Sequence, residues 1–253
     1  MQEFIIENGR LKKVNGSQDD TVVSIPEGVT TICTEAFDSV SPYIREITFP
    51  STLEVIEDYA TGNIIWAKNI EIPKSVKYIG SGTFFQWYGL KRVEIPDGIR
   101  KITVEMFGLC EDLEEVSKPN TINEICDSAF YGCLSLKSID LTNVNRIGVY
   151  AFWNCQSLSE VHMPDCVNFL EYAAFEGCSG LKSVTLSNSI RKIHEYTFWG
   201  CTSLTSIVIP KSVRLIKKNA FSDCTSLKTI MVPKKCVLEK GWKKRTRAEI
   251  IYY

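Results

Sequence analysis

The feature that most constrains this fold is a repeat of 22 or 23 residues that recurs along most of the chain. Its anchor is a phenylalanine, found at Phe84, Phe107, Phe130, Phe152, Phe175, Phe198 and Phe221. Phe37 lies two units upstream of Phe84, and we assign Ala60 to the anchor between them. This makes nine units over residues 25–233. A fixed period of this length indicates a solenoid, in which neighbouring units bury each other's apolar faces.

Within each unit, one short segment has the pattern of a β-strand. The segment 204–209, LTSIVI, ends in an alternation that places one side chain inward and the next outward. In most units a proline follows, and it ends the strand because it cannot donate to a sheet ladder. A second aliphatic pair comes next, such as Ile99 with Ile102. We therefore predict one short parallel strand per unit.

The full pattern, A-F-x-x-C-x-x-L-x-x-I-x-I-P, resembles the BspA-like class of leucine-rich repeats. The resemblance implies a leucine-rich-repeat solenoid that is curved and right-handed, with little helix and about nine repeats between two caps. The usual ladder asparagine is absent, and Gly98 and Thr121 are among the residues in its place. The unit that begins at Phe130 is one residue short and has Thr142 instead of proline.

The two ends depart from the repeat and are predicted to be caps, over residues 1–24 and 234–253 on either side of the solenoid of residues 25–233. In the first cap, a hairpin is expected to cover the first unit with Phe4, Ile5, Leu11 and Val14. In the second, Trp242 and an apolar tail are expected to cover the last unit.

Charge and hydropathy exclude some classes of partner. The net charge is −1 and the pI is about 6.2, which gives no reason to expect nucleic acid. No apolar run approaches the ~20 residues of a membrane helix. No secretory signal follows Met1, so we expect a cytoplasmic protein, or a secreted or surface protein whose signal has been removed. We expect a monomer, with an edge-to-edge dimer through residues 252–253 as the alternative.

The cysteines follow the repeat. Six of the ten stand three residues after an anchor: Cys110, Cys133, Cys155, Cys178, Cys201 and Cys224. Stacked side chains that point the same way are poorly placed for disulfides, so we predict a reduced ladder inside the core. No metal-ligand spacing or nucleophile with a base is evident, and no cofactor is expected. The least regular cysteines, Cys166 and Cys236, are the expected exposed thiols.

The outward strand positions define a candidate binding face. Its first two-thirds are acidic, and the residues singled out there are Glu94, Glu115, Asp140, Glu160 and His162. Such a face would suit a basic ligand, whereas the alternative is a solvated sheet surface. His162 is expected beside Asp140 and Thr185.

Large aromatic residues one position after the anchor define a second candidate surface. They include Tyr131, Trp153 and Trp199 and would form a stripe for a partner, or else pack over neighbouring turns. The basic segment 243–247, KKRTR, is interpreted as the polar outer face of the second cap.

These patterns predict a non-catalytic module that recognises a protein through the extended strand-lined face. The resemblance implies a protein partner, with adhesion to host cells or matrix as one theme among similar proteins. The alternatives are a structural spacer and an enzyme that uses carboxylates of the strand-lined face, which would need a deep pocket with convergent polar groups.

Overall fold

A computed structural model, which describes residues 2–17, 19–40, 42–62 and 64–253, shows a β-solenoid. The predicted fold class is confirmed, and the described residues contain no helix. None of these segments could therefore cross a bilayer as an apolar helix.

Each regular turn begins with a strand of three or four residues, here called a long strand. Its middle side chain points into the core and the flanking ones point out, as the sequence alternation predicts. Parallel pairing joins long strands one repeat apart, for example Val116 with Val93. The long strands are β3 (Val22–Ser24), β5 (Glu46–Thr48), β8 (Arg92–Glu94), β10 (Glu115–Ser117), β13 (Glu160–His162), β15 (Ser183–Thr185), β17 (Ser206–Val208), β19 (Thr229–Val232) and β21 (Glu249–Tyr252).

A second, two-residue strand follows in each turn, so the prediction of one strand per repeat is wrong. The second residue of each short strand is aliphatic and mostly buried, and in-register stacking of these residues aligns the backbones for parallel pairing. The short strands are β4 (Thr31–Ile32), β6 (Val55–Ile56), β7 (Tyr78–Ile79), β9 (Lys101–Ile102), β11 (Glu124–Ile125), β12 (Arg146–Ile147), β14 (Phe169–Leu170), β16 (Lys192–Ile193), β18 (Leu215–Ile216) and β20 (Val237–Leu238).

A third ladder of hydrogen bonds links the turns around the anchors, which we call the anchor turns. Three residues of each regular anchor turn donate their backbone N–H groups to carbonyls of the next unit: the anchor, the residue two positions before it and the residue two positions after it. Examples are Phe130 to Ala151 (2.8 Å) and Gly132 to Trp153 (2.8 Å). The residues two before and two after have positive φ, such as 55° at Ser128 and 70° at Gly132. The backbone of a regular turn is thus hydrogen bonded to its neighbours along three lines.

The anchor phenylalanines form one continuous stack inside the solenoid. From Phe84 to Phe221 every ring is fully buried, and successive ring centroids lie 5.0 to 5.7 Å apart with nearly parallel planes. Burying a phenyl side chain contributes roughly 1.5–3 kcal/mol. The repeat therefore places its largest apolar group where each turn covers the next.

The degenerate anchor is Thr61 and not Ala60. Tyr59 has a φ of 51° and its N–H donates to the Ser81 carbonyl (2.8 Å), which identifies it as the residue two before the anchor. Trp87 stands where later units have cysteine, and its indole N–H donates to the Thr61 carbonyl (3.2 Å). The fully buried indole supplies apolar volume next to a unit that lacks a phenyl ring.

Both ends extend the array by a turn. The Val14 N–H donates to the Ala36 carbonyl (2.8 Å), as an anchor does. At the other end the Phe221 N–H donates to the Trp242 carbonyl (2.8 Å), which makes Lys243 the last anchor position. The segments predicted as caps therefore contribute turns of their own.

The first end also carries a hairpin, as the sequence suggests. Strands β1 (Glu3–Glu7) and β2 (Arg10–Asn15) pair antiparallel, and β2 continues the short-strand ladder through β4. Leu11 and Val14 are fully buried and Phe4 packs against the core, but Ile5 is exposed, so its predicted covering role is wrong. At the far end Trp242 is buried edge-on against Phe221, with ring centroids 6.0 Å apart.

We predict that Thr61 and Trp87 compensate for each other. Trp87→Cys should lower the free energy of unfolding by about 2–4 kcal/mol because it empties buried volume. Thr61→Phe alone should cost about 1–3 kcal/mol through overpacking. The double variant restores the regular pattern. Its loss of unfolding free energy, measured by urea unfolding, should be smaller than the sum of the losses of the two single variants. Additive losses would show that the indole does not occupy the space of the missing ring.

Candidate functional site

The outward side chains of the long strands, together with residues 69–71, where Asn69 bridges to Arg92, form one exposed surface, here called the long-strand face. Glu94, Glu115, Glu160 and His162 all lie on it and are exposed, as the sequence predicts. The pairing of β13 with β15 places His162 opposite Thr185, as expected. Residues 138–140 form no strand, so the strand pairing that would place Asp140 beside His162 does not occur.

Most carboxylates of this face have no cation partner. Glu115 pairs with Arg92 at 3.8 Å, a contact between exposed groups that contributes little to stability. Within the described part of the chain, no ion pair forms at four other outward glutamates, which are Glu46, Glu71, Glu94 and Glu160. The face is therefore acidic over its first two-thirds.

The charged side chains beside the short strands are arranged differently, because they neutralise one another. Glu124 lies between Lys101 (2.6 Å) and Arg146 (3.0 Å), and Arg146 also reaches Asp127 (3.1 Å). The hydrogen bond from Lys101 lowers the pKa of Glu124. Further along, Lys217 pairs with Glu239 at 2.7 Å. The glutamates beside the short strands thus have cation partners, whereas most of those on the long-strand face have none within the described residues.

Asp140 has a structural contact that the sequence did not reveal. Its carboxylate accepts a hydrogen bond from the Thr142 N–H (2.8 Å) and pairs with Lys118 (3.2 Å), whose side chain is almost wholly buried. The Lys118 ammonium also donates to the Thr142 carbonyl (2.8 Å). Burial opposes these bonds, but together they lower the pKa of Asp140. Lys118 occupies an inward position that is aliphatic in other units, and it holds the shortened turn together.

Two adjoining depressions lie along the acidic part of the face. The first has a volume of about 630 Å³ and the second about 430 Å³, and both are lined by Glu71 and Pro73. Glu46 lines the first and Glu94 the second, while Arg45 and Lys68 also border the first. Both open onto the sheet surface, a shape that suits an extended segment better than a small enclosed substrate.

The regular cysteines donate hydrogen bonds inside the core. Each thiol reaches the carbonyl of the preceding anchor, for example Cys110 to Phe84 (3.0 Å) and Cys224 to Phe198 (3.1 Å). In the last turn the Thr246 hydroxyl makes the same bond to Phe221 (2.6 Å). These cysteines therefore act as small buried hydrogen-bond donors. The sequence analysis predicted only that they pack as apolar side chains in the core.

Burial also suppresses the reactivity of the ladder thiols. It raises the pKa of Cys178 and Cys224 to about 12, and the pKa of the other four is raised in the same direction. The thiolate is the reactive form, so the ladder is chemically inert at neutral pH. Cys166 is exposed, as predicted, but Cys236 is buried, so its predicted exposure is wrong. No metal-binding group of three or more ligands occurs among the described residues.

The aromatic residues form a separate surface on the anchor turns. Tyr131 and Trp153 stack at 4.7 Å with an angle of 14°, whereas Trp199 lies two turns beyond Trp153. Three tyrosines that the repeat analysis missed form a second row, with ring centroids 5.4 Å and 5.6 Å apart: Tyr150, Tyr172 and Tyr196. They occupy two different positions of the unit, so only the stacking of turns brings them together.

We predict that native protein exposes one rapidly reacting thiol. At pH 8 a maleimide should label Cys166 quickly, the Cys166→Ser variant should lose this rapid phase, and all ten cysteines should react in denaturant. Mass spectrometry of the labelled peptides identifies the sites. Rapid modification of Cys133 or Cys155 in folded protein would contradict the buried ladder.

Comparison with known proteins places the chain in a family. The model of the BspA type leucine-rich repeat region matches residues 16–137 and 123–240, with six copies. A search of curated proteins found no match.

Solved structures show the same fold. A leucine-rich repeat protein from Eubacterium ventriosum is 16% identical, with 90% of this chain and 83% of that one covered and a TM-score of 0.54. The pneumococcal vaccine antigen PcpA is 21% identical, with 92% and 67% covered and a TM-score of 0.50. A leucine-rich cell surface protein from Faecalibacterium prausnitzii is 22% identical, with 99% and 93% covered and a TM-score of 0.45, which is too low to support an inference.

At these identities the likeness shows the fold alone. The family model, however, covers most of the chain. The protein therefore belongs to the BspA-type leucine-rich-repeat family, whose repeats form protein-interaction modules and are generally non-catalytic.

Proposed function

We propose that this protein recognises a partner protein by binding a basic, extended segment across the long-strand face. The observation that carries the proposal is the contrast in charge pairing between the two strand surfaces. Beside the short strands, Lys101, Glu124 and Arg146 satisfy one another. On the long-strand face, Glu71, Glu94 and Glu160 have no ion partner within the described residues.

The shape of the face supports the same proposal. The exposed strands present a surface whose backbone is already fixed by three ladders of hydrogen bonds, so little ordering cost is incurred on the side of this protein. The two adjoining depressions give an extended chain room along several repeats. Arg45 and Lys68 at the first depression favour a segment that also carries some acidic or neutral side chains.

An enzymatic role receives less support from the geometry. The carboxylates of the face lie on open sheet, and Asp140 is engaged with Lys118 in holding a turn. A pure spacer role does not account for the unpaired charge. The adhesion role implied by the family resemblance is a special case of this proposal, in which the partner belongs to a host cell or matrix.

The proposal predicts charge-dependent binding of basic peptides. A fluorescently labelled twelve-residue peptide of alternating lysine and serine should bind the native chain, with affinity that falls as salt increases, because exposed charges are screened over ~10 Å at 0.1 M. Glu71→Lys/Glu94→Lys/Glu160→Lys should abolish measurable binding in fluorescence anisotropy. The matched glutamate–serine peptide should not bind.

The control carries the same change in net charge away from the face. Glu7, Glu35 and Glu111 are exposed and lie outside both the long strands and residues 69–71, so their reversal to lysine should reduce affinity only slightly. Thermal unfolding should show that both triple variants remain folded. Equal loss of affinity in the two variants would refute a site on this face, as would an unchanged affinity in the first.

A further inference from the structure

A depression in the aromatic surface lies beside the anchor turn of Phe175, where Glu176 and Trp199 line it. The position after the anchor holds Trp153 in one unit, Glu176 in the next and Trp199 in the one after. We call this set the indole notch. All three side chains are half-buried.

The stacking of turns sets the dimensions of the notch. The Phe152, Phe175 and Phe198 rings are 5.0 Å and 5.7 Å apart, so the two tryptophans stand about twice one turn spacing from each other with Glu176 between them. The Tyr131 ring stacks on the Trp153 ring, with ring centroids 4.7 Å apart, and so supports the Trp153 side of the notch. The depression that Glu176 and Trp199 line leaves room for a flat group against the Trp199 indole and beside the carboxylate.

The surroundings keep the notch open. Gly177 and Gly200 have φ of 73° and 70°, a backbone geometry that favours glycine, and they leave the neighbouring position without side chains. On the other side Ala173 is small and buried. Tyr196, two residues before its anchor, borders the same depression as Trp199.

Glu176 carries a charge that the protein does not compensate. No lysine, arginine or histidine of the described residues forms an ion pair with it. Burial raises the pKa of its carboxyl group, and a hydrogen bond from Trp153 only partly opposes this. A half-buried carboxylate without a cation is stabilised by any ligand that supplies one.

The depression continues past Trp199 with a volume of about 260 Å³. Besides the residues already named, its lining consists of Asn219, Ser222, Asp223, Lys244 and Arg245. Arg245 pairs with Asp223 at 3.5 Å, and Lys244 belongs to the last turn, three units beyond Glu176. The chain's own cations thus lie toward the far end and leave the carboxylate between the indoles available.

We infer that the indole notch binds an arginine side chain of a partner protein. A guanidinium is planar, stacks on an indole face and can bond a carboxylate with two N–H groups, so one group satisfies Trp153 or Trp199 and Glu176 at once. Tryptophan and tyrosine are also the residues that most often dominate protein interfaces. This site is distinct from the long-strand face and does not depend on it.

The test uses a small probe with a neutral counterpart. The peptide acetyl-Gly-Arg-Gly-amide is titrated into the full chain while the indole N–H resonances are followed by NMR, with Trp153 and Trp199 assigned from Trp→Phe variants. Both resonances should shift and saturate. The peptide with citrulline, which keeps the shape of arginine but not its charge, should cause no shift.

Three variants separate the contributions. Glu176→Gln should weaken arginine binding about tenfold or more, which corresponds to about 1.4 kcal/mol or more. Trp199→Leu keeps the carboxylate, removes an aromatic face and should weaken binding to a smaller extent. Glu94→Gln on the long-strand face should have no effect, so failure of one site is distinguishable from failure of the other.

Several outcomes would overturn the inference. These are equal binding by Glu176→Gln and native protein, equal responses to arginine and citrulline, or a response to methyl glucoside without one to arginine, which would indicate a saccharide site. Circular dichroism of each variant confirms that loss of binding is not loss of fold.

Discussion

The whole structure depends on lateral hydrogen bonding between turns of similar backbone path. Long strands, short strands and anchor turns each bond to the next unit, so a turn is complete only when it has neighbours. A donor side chain three residues after the anchor adds a fourth contact, made by thiols in the middle, by the Trp87 indole near the start and by the Thr246 hydroxyl at the end. From the unit of Phe84 to the last turn the chemical group varies, but a donor of suitable reach is kept.

Stacking in register also creates the surfaces. A residue type that recurs at one position of the repeat becomes a column, and a change at one position becomes a local feature of that column. Glu176 is such a change, because it interrupts a row of aromatic residues and becomes a carboxylate between two indoles. Lys118 is another, because an ammonium replaces an aliphatic side chain where the next turn is one residue short. The side chains that differ chemically from the rest of their column therefore belong mostly to irregular units.

Much of the fold followed from the spacing of a few residue types. The phenylalanines and cysteines predicted the core columns, and the alternation around the valines and isoleucines predicted the long strands and their exposed residues, Glu94, Glu115 and Glu160. The errors arose where the pattern weakens. Ala60 lies 23 residues after Phe37, where an anchor is expected, and only the hydrogen bonds around Tyr59 and Trp87 identify Thr61 instead.

The sequence by itself determined the period, the inward residues and the order of side chains in every column, because these depend only on distances along the chain. Tertiary structure decided which charges meet across turns, which side chains from different repeat positions gather, and how far the array extends into its ends. Asp140 is held by Lys118, and the three tyrosines meet, only because non-equivalent residues become neighbours when turns of unequal length stack. Such contacts depend on the offset between turns, which no single repeat encodes.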